Sequence, residues 1–227
     1  MKKSARWFWR EWVKPLLVIA LVVGSVRSAV ADWNHVPTGS MKPTILEGDR
    51  VIVNKLAYDL KVPFTTWHLA KWGNPTRGDI VVFFAPSDGT RMVKRVVGLP
   101  GDTIALENNI LVVNGKSIAY EPLETGMSNW IDAKERPAHQ FAAEKLEDCR
   151  HAVMATPSLN AMRSFAQVAV PQGKYFMMGD NRDNSLDSRY FGSVPRQKII
   201  GRAEAVAFSM DRDRYYLPRA GRFGEKL

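Results

Sequence analysis

The chain reads as a mainly β protein carrying one apolar N-terminal helix, and three observations support that. Short runs rich in β-branched and aromatic residues recur at 51–53, 80–84, 92–97 and 110–113, punctuated by Gly and Pro, and 175–178 and 203–208 read as two more strands. Asn114-Gly115 is a strong type I′ hairpin signal between 110–113 and 117–120. An uncharged apolar run extends from Pro15 to Val26. The strands suit antiparallel sheets closed on each other.

The N-terminus reads MKKSARWFWREWVK, in which Lys2, Lys3, Arg6, Arg10 and Lys14 face only Glu11. Trp7, Phe8, Trp9 and Trp12 are interleaved with them, a composition suited to a membrane interface. The uncharged run is shorter than the roughly 20 residues that span a bilayer. Lys14 and Arg27 can snorkel, which restores about a full span over 15–31. The excess of positive charge before the run then places 1–14 in the cytoplasm and everything after Ala31 outside. The rival reading is a cleavable signal peptide ending near Ser28-Ala29-Val30-Ala31. A buried helix of a soluble domain fits the flanking charges and tryptophans less well.

The 227 residues are enough for one catalytic domain with an inserted subdomain. With 45% hydrophobic and 24% charged residues the chain is not of the disordered class. The net charge of +9 suits anionic lipid surfaces, and no nucleic-acid-binding signature accompanies it. The single cysteine, Cys149, excludes an internal disulfide and a cysteine-rich zinc site, and reads as a passive thiol. The expected organisation is a β-rich core over 32–120 and 172–227, interrupted by a cap at 121–171. That cap is polar and weakly periodic, with 138–149 expected to be helical. Residues 62–72, with Phe64, Trp67, Leu69 and Trp72, read equally as a loop dipping into the bilayer surface or as ordinary packing.

Three segments carry chemistry. In Pro37-Thr38-Gly39-Ser40-Met41-Lys42-Pro43-Thr44, Ser40 needs a base to become a nucleophile. Gly39 allows a tight turn and a close substrate approach, and the Thr38 hydroxyl is placed to help hold an oxyanion. In Met92-Val93-Lys94-Arg95-Val96-Val97, strand alternation puts Lys94 on one face with Met92 and Val96. Were that face buried, desolvation could lower the lysine pKa from about 10.4 toward about 8, a change of roughly 3–4 kcal/mol. On pattern alone, a solvated edge-strand lysine is the better reading.

The third segment, 179–189, is dense in acids, arginines, amides and hydroxyls. It lacks the glycine and terminal glutamate of a calcium loop, and Arg182 and Arg189 would repel a cation. A network of Asp–Arg pairs fits better, and no metal or cofactor is expected. The four histidines, His35, His68, His139 and His151, have no metal-site spacing, and no nucleophile-elbow pattern is present.

Taken in order, VPTGSMKPTI, RGDIVVF, MVKRVVGLPGD and GDNRDNSLDSRYFG resemble the signature boxes of bacterial type I signal peptidases. The resemblance implies a membrane-bound serine endopeptidase of the inner membrane, its catalytic domain on the periplasmic side. Such an enzyme removes N-terminal signal peptides from exported preproteins, cutting after small residues at −1 and −3. It implies Ser40 as nucleophile, Lys94 as general base, Thr38 with the Ser40 N–H as oxyanion hole, and Ser185 as the hydroxyl orienting the lysine. Arg95, Asp180, Arg182, Asp187 and Arg189 fall on supporting positions. Val36, Pro37, Met41, Ile45 and Val93 are the candidates for shallow apolar substrate pockets. Preproteins and the bilayer are the implied partners, and nucleic acid is not.

Three alternatives fit the chain less well. A specialised processing peptidase of a conjugation or secretion system usually has a degenerate last box, and this one is intact. A soluble self-cleaving repressor protease would lack the apolar span. An inactive membrane-anchored scaffold would not need both Ser40 and Lys94.

Overall fold

The computed structural model describes residues 7–65, 67–123, 127–212 and 214–227. It begins with a helix whose long segment, α1, is Lys14–Ala29. A π-helical turn, Trp9–Val13, precedes it. Pro15 stands in the first turn of α1 and has no N–H to give the Glu11 carbonyl, so the ladder widens there. Leu16, Leu17, Ile19, Leu21 and Val22, spread around the helix, are all exposed. A largely apolar helix whose exposed apolar side chains before Gly24 are uncovered by the described residues suits a lipid environment. The stretch Trp9–Ala29 is long and apolar enough to cross a membrane.

The strands follow as β1 Ala31–His35, β2 Asp49–Asn54, β3 Asp59–Lys61, β4 His68–Lys71, β5 Ile80–Phe84 and β6 Arg91–Gly98. Next come β7 Thr103–Glu107, β8 Ile110–Val113, β9 Lys116–Ser117, β10 Ala119–Pro122, β11 Gln140–Leu146 and β12 Cys149–Ala155. The chain continues through β13 Phe165–Ala169, β14 Lys174–Met178, the one-turn helix α2 Ser188–Phe191, β15 Val194–Pro195, β16 Ile199–Asp211 and β17 Leu217–Pro218. The mainly β, antiparallel class expected from the sequence is what the chain adopts.

The main sheet runs in the order β1-β2-β16-β5-β6-β14-β15. Register shifts along the long strand β16 curl it. Beside it stand a four-stranded sheet, β13-β7-β8-β9, a three-stranded sheet, β10-β11-β12, and the small β3-β4 hairpin. Residues 117–120, read as one strand, divide between β9 and β10.

Residues 138–149 do not form the expected helix. They form β11 and the turn into β12, with Leu146 opposite Cys149 and Glu147 at a φ of 53° in the turn. Ala-Ala-Glu-Lys-Leu has good helix propensity, but pairing with β10 and β12 overrides it. The pairing buries Ala143, Glu144 and Leu146.

Lys55 ties α1 to the sheet. Its ammonium donates to the carbonyls of Arg27 and Ser28 at 2.7 and 3.2 Å, satisfying orphan acceptors at the helix end. The β3–β4 loop also touches α1, since the Phe64 N–H donates to Ser28 Oγ across 2.6 Å.

Candidate active site

Lys94 lies in β6, opposite Val81 of β5. Val81, Met92 and Val96 belong to one apolar cluster, so the lysine emerges from a dry face of the sheet. It is only 4% exposed, and the solvated reading is not what the structure adopts. Burial disfavours the ammonium and brings the pKa from 10.5 down to about 8, although Asp187 and Asp180 attract the charge. Lys94 Nζ stands 2.5 Å from Ser40 Oγ.

Ser40 sits in the turn between β1 and β2. The turn is held by Lys42 N–H to Gly39 O and Ile45 N–H to Met41 O, at 3.0 and 2.9 Å. Segment 179–183 clamps it from the other side. The Asn181 N–H donates to Ser40 O at 3.1 Å, and the Asn181 side-chain amide donates to Gly39 O at 3.0 Å. Gly179 leaves no room for a side chain: a Cβ there would lie 2.4 Å from Ser40 O and 2.3 Å from Ser185 Oγ.

Buried ion pairs fix that segment. Arg95 grips Asp180 through two bonds, Nε to Oδ1 at 2.8 Å and Nη2 to Oδ2 at 2.7 Å. Thr44 Oγ1 donates to the same carboxylate at 2.6 Å. Burial alone would raise the Asp180 pKa, but Arg95, with help from His151 and Thr44, holds it below the usual value. Arg189 makes a similar fork to Asp187, both bonds at 2.8 Å, and the Gly179 N–H donates to Asp187 Oδ2 at 3.0 Å. Arg189 and Asp180 are thus in the site as partners of neighbouring charges and not as surface groups.

Ser185 Oγ is buried and makes no well-formed hydrogen bond. It faces the Asp187 carboxylate, which its O–H helps to keep ionised, and it makes no hydrogen bond to Lys94 among the described residues. Thr38 lies at the exposed entrance of the turn, two residues before Ser40.

A nucleophile candidate, a buried lysine and an acid–arginine scaffold are therefore in one place. The family model "Signal peptidase, peptidase S26" matches residues 9–208, which includes all of them. The chain belongs to the signal peptidase S26 family. It is 39% identical over 227 residues to the signal peptidase I of Pseudomonas fluorescens, covering 94% of this chain and 78% of that one. It is 38% identical over 229 residues to the signal peptidase I of Pseudomonas aeruginosa, with the same shares covered. Signal peptidase I P of Bacillus subtilis subsp. natto is 35% identical over 206 residues, covering 90% of this chain and 92% of the relative. A crystal structure of a signal peptidase I from Enterococcus faecalis V583 aligns at 32% identity with a TM-score of 0.36, covering 57% of this chain and 96% of that one. Membership makes the chain a peptidase of the serine type that acts on signal-peptide-bearing preproteins, and the apolar N-terminal helix fits its membrane-anchored family.

Some groups in this signal peptidase site escaped the sequence reading. Asn181 was part of a recognised box, but nothing marked its side chain as the clamp on Gly39. Glu144 and His151 had no sequence signal, since they arrive from β11 and β12. Arg182 is buried and donates to Glu144 Oε1 at 2.7 Å, and His151 Nε2 lies 3.3 Å from the same oxygen. The Met154 N–H donates to Asp180 O at 2.8 Å and the Arg182 N–H to Met154 O at 2.7 Å, so β12 backs the clamp directly.

The apolar candidates Val36, Met41 and Ile45 pack into one cluster with Val51, Val53 and Val82. They are closed to solvent. Val93 lies half-buried at the margin of that cluster, and Pro37 is exposed.

Proposed function

We propose that this signal peptidase is a membrane-bound serine endopeptidase whose Ser40–Lys94 pair cuts N-terminal signal peptides from exported preproteins. The observation carrying this is the 2.5 Å contact between Lys94 Nζ and Ser40 Oγ, made by a lysine whose pKa is near 8. At that pKa a useful fraction of the amine is neutral near physiological pH and accepts a proton.

Neutral Lys94 takes the hydroxyl proton as Ser40 Oγ adds to the scissile carbonyl carbon. The oxyanion that forms is met by the Ser40 N–H, which donates to no acceptor among the described residues, and by the Thr38 hydroxyl. The Lys94 ammonium then gives its proton to the departing amine, and the C–N bond breaks, leaving an ester on Ser40. Neutral again, Lys94 takes a proton from the water that attacks the ester, then returns it to Ser40 Oγ as the ester C–O bond breaks. This frees the new C-terminal acid, which ionises in water, and restores the serine hydroxyl and the neutral amine. Asp187, Arg189, Asp180 and Arg95 hold the amine and the serine turn in place. Ser185 orients the lysine once substrate closes the site.

The peptide lies along β6. β5 covers one edge of that strand from Arg91 to Arg95, whereas β14 pairs with the other only from Arg95 to Gly98, so residues 91–94 have no strand partner on that side among the described residues. Pro37 and Val93 flank the small residues at −1 and −3, while Val36, Met41 and Ile45 pack beneath them in the closed core. The helix Trp9–Ala29 crosses the inner membrane once, with its basic start in the cytoplasm and the β domain outside.

Purified full-length protein, assayed on a preprotein in detergent or vesicles, tests this. Ser40→Ala and Lys94→Ala should each abolish cleavage with the fold intact. The wild-type kcat/KM should rise with pH through about 8 as Lys94 deprotonates. Cleavage that survives in Lys94→Ala would remove the lysine from the mechanism.

A further inference from the structure

Beside the C-terminal end of α1, the β3–β4 hairpin and the end of β5 enclose a cavity of about 550 Å³. Four cationic side chains line it, Lys55, Lys61, Arg91 and Lys198, together with Phe64 and Trp67. No carboxylate is among the lining residues.

Two of the cations are already engaged. Lys55 caps α1 and has Asp32 Oδ2 at 3.7 Å, and Lys61 pairs with Asp59. The other two are weakly served. Arg91 has Asp32 Oδ2 only at 4.0 Å, and Lys198 donates a long 3.4 Å bond to Ala85 O. Burial pulls the Arg91 pKa down, against the pull of Asp32. The geometry is that of a positive site short of one anion.

Its position says which anion. Ser28 of α1 lines the cavity, and a Cβ on Gly24 would meet the Phe64 ring at 3.2 Å. Gly24 is five residues before the helix end, about 8 Å along the axis at 1.5 Å per residue. Phe64 and Trp67 are 66% and 74% exposed, and Trp33 and Trp72 are exposed as well. Exposed aromatics flanking the end of an apolar span belong at the headgroup level of a bilayer. A free phosphate would use the cations and leave the aromatic wall in water. A lipid phosphodiester uses both, its charge on Arg91 and Lys198 and its glycerol and upper acyl carbons on Phe64 and Trp67.

We infer that this cavity binds the headgroup of an anionic membrane phospholipid, which docks the catalytic domain against the bilayer. The inference rests on the reading of α1 as a membrane span.

The test uses the full-length protein in detergent micelles, titrated with phosphatidylglycerol and followed by native mass spectrometry. One tightly held phosphatidylglycerol is expected, with phosphatidylcholine binding much more weakly. Arg91→Gln and Lys198→Gln should each weaken the adduct about fivefold, and the double variant about 25-fold. The exposed pair Lys116→Gln/Lys145→Gln should leave it unchanged. An unchanged unfolding midpoint certifies each variant, and if the double variant fails to fold, the single ones decide. Equal binding by wild type and variants, or equal binding of the two lipids, overturns the site. Displacement by millimolar inorganic phosphate overturns it as well, leaving an adventitious ion only. Flotation with pure phosphatidylcholine vesicles is the separate arm. A protein that does not co-float loses the membrane-span reading, whereas one that floats but binds no phosphatidylglycerol loses only the cavity.

Discussion

Asn181 holds both carbonyls of the serine turn, donating from its backbone to Ser40 and from its side chain to Gly39. The Ser40 turn is thus positioned by a segment whose own charges are buried and paired and which lies far along the chain, Asn181 standing 142 residues after Gly39. Removing only the side-chain half should leave the fold standing and loosen the turn. Asn181→Ala is expected to lower kcat about tenfold, near 1.4 kcal/mol, with KM little changed. Steady-state kinetics on a preprotein checks this, and an equal rise in KM would mean the residue binds substrate instead.

Gly179 makes a sharper case. Any Cβ there collides with the Ser40 carbonyl, a backbone atom that cannot swing aside. Gly179→Ala should displace the serine by on the order of 1 Å and cost about 100-fold in kcat. A variant of near-normal activity would show that the turn has slack that this packing excludes.

Lys94 should cost stability in exchange for reactivity. Its native pKa lies below that of the unfolded chain, so between about pH 8 and 10.5 the unfolded state holds a proton the native state has lost. Stability therefore rises with pH across that window. Below it the buried ammonium is a penalty of about 3 kcal/mol. Lys94→Met should be inactive yet more stable at pH 7, by up to that amount, and should lack the alkaline rise. Urea midpoints from pH 6 to 10 measure both effects, and a less stable Met variant would count against a strained, dry lysine.

The Glu144–Arg182 pair should behave as a buried lock between β11 and the clamp. Burial alone would raise the Glu144 pKa, but Arg182 and His151 outweigh it and hold the carboxyl well below its usual range. Its contribution is full above the unfolded carboxylate pKa and is lost only as pH falls toward the depressed native one. Glu144→Gln should destabilise by about 3–5 kcal/mol at neutral pH, because it strands a buried guanidinium. Glu144→Leu with Arg182→Met should cost much less than the single change, a difference that thermal unfolding of the set would read directly.

The strands at 80–84, 92–97, 110–113 and 175–178 were visible in the sequence because short runs of β-branched or aromatic residues broken by turn residues favour strands. The hairpin at Asn114-Gly115 was visible for the same local reason. The segment 138–149 was not, since its local propensity is helical and only pairing with β10 and β12 makes it strand. Ser40 and Lys94 stood out through the order of their motifs, while the alternation pattern around Lys94 argued for the surface. Glu144 and His151 were invisible, because nothing local to β11 or β12 announces a carboxylate destined for Arg182.

The sequence by itself determined the β class, the apolar helix and the family, since these follow from periodicity, composition and motif order along the chain. Only the tertiary structure decided that Lys94 is dry, that it reaches Ser40, and that Asn181 holds the serine turn. Desolvation and a hydrogen bond are properties of what surrounds a group in space, and the groups that surround these come from β5, β6 and β14 and from the loop that follows β14.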